Sequence, residues 1–145
     1  MTYRQLVEYI ESRVNAHVLV NQYGFGNLSD IETPGDDSPE YPYVFLRPVN
    51  MQIAAHNNQF NFELILMDYV FETTYAYVDG VSRMTQILAD IVEDMRSNLN
   101  RELDINLSVT AVPFKERFKD SVVGITATID IITAEPLDGC NNTFE

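Results

Sequence analysis

The sequence predicts an α+β domain in the order α-β-β-β-α-β-β, an antiparallel sheet with a long β-hairpin, covered on one side by two helices. Three observations predict it. Two segments space their apolar residues by three and four, as amphipathic helices do; two segments near the C-terminal end alternate apolar and polar residues; and two long runs of strand type flank a turn at Asn57-Asn58.

The first helix is expected over about residues 3–14, where Tyr3, Leu6, Ile10 and Val14 form one stripe and Thr2 with Gln5 fits a capping box. A short strand is expected near 17–23, in "HVLVNQYGFG", followed by a glycine turn. The stretch from Asn27 to Pro42 carries three prolines, a glycine and five acidic residues, and reads as a long surface loop, either solvated or used for contact. Tyr43 to Ile53 and Phe60 to Phe71 form the hairpin. A returning strand of some ten residues spans roughly 33 Å, nearly twice the common length, so its edges are expected to project and to invite pairing with another chain.

A second helix is expected over about 77–99, with Val81, Met84, Ile87, Leu88, Ile91, Met95 and Leu99 on one face and Arg83, Asp90, Glu93, Asp94 and Arg96 opposite. Ile105, Leu107, Val109 and Ala111 alternate with polar residues, as do Val123, Ile125, Ala127, Ile129 and Ile131; both are half-buried strands. The segment Pro113 to Asp120, "PFKERFKD", reads as the loop joining them, and residues 135–145 read as a polar tail.

Composition narrows the function. A chain of 145 residues is one ordinary domain, spanning 1–145. Its 22 acidic and 9 basic side chains leave a net charge of −13, which opposes the wrapping of nucleic-acid phosphates by the average surface. No run reaches the ~18 apolar residues of a membrane span, and no signal region is read at the N-terminus. Cys140 is the single cysteine, so no intrachain disulfide is expected, and the compartment is expected to be reducing.

No catalytic or metal motif is found, and no cofactor is expected. His17 and His56 are the only histidines and lie in different elements without ligand-spaced partners; Cys140 has no neighbouring histidine. Asp68 is the one carboxylate in phase with the apolar side of its strand, alongside Phe60, Phe62, Leu64, Leu66 and Val70. An unpaired buried carboxylate costs several kcal/mol, so Asp68 is expected to accept backbone N–H groups of the following turn or to pair with an arginine such as Arg83, holding the strand-to-helix turn. The second anomaly is the loop after Ala111. Lys115, Arg117 and Lys119 are three of nine cations in the chain, interleaved with Phe114 and Phe118. The pattern fits a contact surface as well as a solvated turn. Asp30, Glu32, Asp36, Asp37 and Glu40 of the acidic loop are the complementary candidates for contacts between subunits or with a partner.

The run "FELILMDYVF", then "VSRMTQILADIVEDM", then "PFKERFKDSVVGITATIDI" and a Cys-containing, Asn-rich end, resembles the small tail terminator (tail completion) and neck proteins of tailed bacteriophages. Asp68, Ser82 through Asp90, and Phe118 through Gly124 match that family's pattern, while Ile125 stands where the pattern often has Trp. The resemblance covers about Phe60 to Cys140. It implies a non-enzymatic virion protein, assembled in the host cytoplasm as a ring, often a hexamer, at the head-proximal end of the tail. Such a ring stops tube polymerisation and joins the tail tube protein to the head-tail connector protein, with DNA passing through its lumen without specific binding. A head-closure adaptor of the connector would share composition and ring symmetry. An acidic DNA mimic, the remaining alternative, should spread its carboxylates along helix faces rather than gather five in one loop.

Overall fold

The computed structural model describes residues 3–27, 40–54, 57–69, 74–102, 105–115 and 122–133. They form helix α1 (Tyr3–Ala16), strands β1 (Gln22–Phe25), β2 (Tyr43–Ile53) and β3 (Asn58–Tyr69), helix α2 (Thr74–Glu102), and strands β4 (Ile105–Lys115) and β5 (Val122–Thr133). The architecture is α+β, with five strands in the order β1-β2-β3-β5-β4. β2 pairs antiparallel with β3, β3 with β5, and β5 with β4. β5 therefore separates β3 from β4, which run in the same direction and are linked through α2.

Both helices lie on one face of the sheet. The alternation of each strand sends Val44, Leu46, Phe60, Phe62, Leu64, Leu66, Ile125, Ala127, Ile129 and Ile131 toward them, where they meet Leu6, Ile10 and Val14 of α1 and Met84, Ile87, Leu88, Ile91, Val92 and Met95 of α2. Of the helical stripes read from the sequence, Leu6, Ile10, Val14, Met84, Ile87, Leu88, Ile91 and Met95 are buried, Tyr3 and Val81 are partly buried, and the Leu99 side chain is not among those described. Tyr3 closes one end of this layer, its ring stacked on Phe62 at 5.7 Å and tilted against Phe60 at 5.7 Å.

The other face carries a smaller apolar group confined to one end: Tyr43, Phe45, Ile65, Met67 and Val122, with Tyr41 and Phe114 packed against it. Tyr43 and Phe45 stack at 6.2 Å, and Tyr41 meets Tyr69 edge-on at 5.2 Å. Gly24 explains how two rings fit beside β1: a Cβ there would run into the Tyr43 hydroxyl and the Phe45 ring. The peptide bond between Tyr41 and Pro42 is cis. Further along this face the residues turn polar, with Arg47 reaching Glu63 at 3.3 Å and Asn61 bonded to Asn50.

The structure corrects three expectations. The first strand is not at 17–23 but at Gln22–Phe25, because residues 17–20 are a turn closed by His17 N–H to the Val14 carbonyl and Val20 N–H to the His17 carbonyl, both 3.2 Å. That strand pairs parallel with β2, so the sheet is not wholly antiparallel. A parallel pair needs a crossover of about a dozen residues or more, and the acidic stretch is that connection; what looked like an over-long loop has a topological cause. The third correction concerns Pro113, Phe114 and Lys115, which continue β4 instead of opening a loop. Proline is tolerated on an edge strand where its missing N–H faces away from the sheet, and Pro113 sits in that phase.

Candidate functional site

Asp68 and Arg83 meet. Asp68, paired in register with Val123 at the end of β3, is largely buried, and its Oδ2 accepts bonds from Arg83 Nε at 2.8 Å and Nη2 at 2.7 Å. Its Oδ1 accepts the backbone N–H of Tyr69 at 2.8 Å. The pair ties the last residue pair of β3 to the first turns of α2, across the connection between them. Arg83 is half exposed, so the pair is screened on its outer side. Asp68→Asn is expected to keep the fold and to lose about 1–3 kcal/mol, at the low end because of that exposure. Urea midpoints of wild type, Asp68→Asn, Arg83→Ala and the double variant complete the cycle and measure the coupling.

A second set of polar residues clasps α1 to α2. Arg13, Ala16, His17, Asp90, Ile91 and Asp94 line a cleft of about 180 Å³. Arg13 Nη1 reaches Asp94 at 3.4 Å, and its guanidinium lies over the Tyr9 ring. Leu19 N–H donates to His17 Nδ1 at 3.1 Å, so in the neutral imidazole the proton sits on Nε2 and is donated to Asp90 Oδ2 at 2.8 Å. That bond is the first cause holding the Asp90 carboxyl below its ordinary value, aided by Gln86 and opposed by burial. A depressed carboxylate stabilises the fold above its unfolded pKa, and the contribution is lost as pH falls through the folded value. His17→Ala should therefore move the Asp90 carboxyl titration upward by NMR, and the stability difference from wild type should shrink on acidification below about pH 4.

Of the contact candidates, Phe114 is half-buried against the Tyr43 and Phe45 group, and Lys115 Nζ sits 5.9 Å from the centre of the Tyr77 ring. Both belong to the body of the domain, because β4 carries them beside β5. Phe114 is thus a packing residue and not the exposed anchor expected of it. Glu40 is exposed, and its backbone N–H donates to Gln22 Oε1 at 2.7 Å, tying the end of the acidic connection to β1. Asp30, Glu32, Asp36, Asp37, Arg117, Phe118 and Lys119 lie outside the described residues, as do His56 and Cys140. Among the described residues no group of three or more His, Cys, Asp or Glu could hold a metal ion.

The surface that sequence reasoning located only in outline is the far half of β2. β1 covers Tyr43 to Leu46 and stops; beyond it Val49, Met51 and Ile53 stand exposed, Ile53 at 64%. The register slips between Pro48 and Asn50, so Val49 is the extra residue of a bulge. A uniform reading of alternation hides this slip. On the opposite side of the sheet β4 is an edge strand of 11 residues, exposed from Thr110 to Pro113, with Val112 at 61%. Among the described residues no helix is long and apolar enough to cross a membrane. No protein-family model matches the chain, and no curated protein matches it.

Proposed function

We propose that this chain is a structural virion protein, the subunit of a ring, with six copies expected, at the head-proximal end of a phage tail, where it ends tube polymerisation and joins the tail to the head connector. One observation carries the reading: among the described residues, one sheet has an open strand edge on each side, β4 on one and the exposed far half of β2 on the other. Two different sticky surfaces on opposite sides of one subunit make head-to-tail contacts, and such contacts close into rings when the rotation between copies allows. The net charge of −13 supports it as well, since a negative ring lets DNA pass without adhering. In this reading the tail tube protein and the connector protein bind the two rims, and the acidic connection and the basic segment after β4 are the charged contacts available to them.

The test is sedimentation velocity over a wide concentration range, followed by negative-stain imaging with and without tail tubes of its own phage. Closed rings of uniform diameter, seated at one end of the tubes, are expected. A protein that stays monomeric at the highest concentration and leaves the tubes bare would overturn the reading.

A further inference from the structure

The backbone of the two open edges specifies how copies meet. Pro42, just before β2, and Leu46 within it direct their carbonyls at the β1 side, Pro42 accepting Asn21 N–H and Gln22 N–H and Leu46 accepting Gly26 N–H. Even-numbered residues of this half therefore face the edge. Pro48 is in that phase and has no N–H to offer; the bulge at Val49 then reverses the phase, so the backbone of Met51 and Ile53 faces outward. Carrying the alternation across the register from Val44 to Leu66, Ile125 and Pro113 makes the odd-numbered residues of β4 face outward on the other side.

The two edges are closed at the same end and open at the same end. Near Tyr43, β1 caps β2; at the matching level of β4, Pro113 lacks an N–H and Lys115 brings a charge, both devices that blunt an edge. At the other end Met51 and Ile53 are level, through Phe60 and Ile131 and through Asn58 and Thr133, with Leu107 and Ile105 of β4. There, among the described residues, neither edge is blocked and no strand pairs with either. β2 and β4 run in opposite directions in the sheet, so one copy placed beside another in the same orientation brings them together antiparallel.

We infer that the ring is built by strand addition between copies: the outer edge of β4 in one copy pairs antiparallel with Asn50 to Ile53 of β2 in the next. The occupant is a second copy of this chain because an open edge of N–H and C=O groups is a template for another strand, and the chain supplies both halves, unblocked at one level. Directly paired residues share a face, so the exposed Met51 and Ile53 would be covered at the level of Leu107 and Ile105 of the neighbouring β4. The inference rests on the ring reading and specifies its interface.

The test uses the full chain with Cys140→Ser. Met51→Cys is combined in turn with Leu107→Cys, Val109→Cys and Ala111→Cys, and the purified proteins are oxidised at a concentration where wild type assembles. One combination should give a covalent ladder ending in a closed ring, while every single-cysteine chain stays uncrosslinked. Leu107→Pro, in the same backbone phase as Pro113 and level with Met51, should keep its circular dichroism and sediment as a monomer where wild type is a ring. A dimer from Val109→Cys or Ala111→Cys alone would show β4 pairing with β4 and overturn the inference. So would a wild type that forms rings while all three combinations stay uncrosslinked and Leu107→Pro assembles normally; the ring reading would then survive with another interface. A wild type that is monomeric and leaves tail tubes bare overturns both.

Discussion

Phe62→Ala is expected to destabilise the domain by about 3–5 kcal/mol, the cost of removing a fully buried aromatic from a packed core. Phe62 has no exposed surface, lies at the middle of β3 on the helix side, and is paired with Ile129 of β5 and opposite Pro48 of β2. Its ring also stacks on Tyr3, the first residue of α1. Truncation therefore opens a cavity and removes the contact that seats the start of α1 on the sheet. A domain of this size has about 5–15 kcal/mol of stability in all, so the variant should sit near its unfolding threshold. Denaturant midpoints measure the loss, and hydrogen exchange should show α1 losing protection before β3 and β5 do. A loss below about 1 kcal/mol would mean that the neighbouring side chains collapse into the space. The same variant bears on assembly, because the hairpin must be held rigid for its free edge to be presented.

Gly124→Ala is expected to cost about 3 kcal/mol, at the upper end for overpacking. Gly124 pairs with Met67 at the crowded junction of β3 and β5, and a Cβ there would overlap the carbonyl oxygen of Leu66. That obstacle is backbone. No rotamer change relieves it, and β3 must separate from β5 or one strand must bend. The fold at this point also holds Asp68, paired with Val123 next to Gly124, so the disturbance should reach the Asp68 and Arg83 pair. Thermal unfolding of the variant, compared with Thr128→Ala at an exposed position of the same strand, separates steric conflict from a general sensitivity of β5. Equal midpoints for the two would show that the strands part at Gly124 without cost.

Much of this architecture is written in local periodicity. Spacings of three and four in Leu6, Ile10 and Val14, and again from Met84 to Met95, put one stripe of each helix in the core, and those residues are the buried ones. Alternation from Phe60 to Leu66 and from Val123 to Ile131 placed the helix-facing side of two strands, and Asp68 in that phase already required a cationic or backbone partner. Arg83 is close enough in sequence to be named for it, since one connection separates strand from helix. What only the tertiary structure decided are pairings between distant segments. β1 is four residues long, too short for periodicity to separate from the turn before it, and its parallel partner lies beyond the acidic crossover. The bulge at Val49 depends on how two strands match, and a single strand does not display it. Phe114 and Lys115 belong to a strand because β5 continues to pair with them; by composition they resemble a loop. Local side-chain chemistry specifies faces, whereas the edges, where this protein is proposed to meet its own copies, are set by non-local hydrogen bonding that individual residues do not announce.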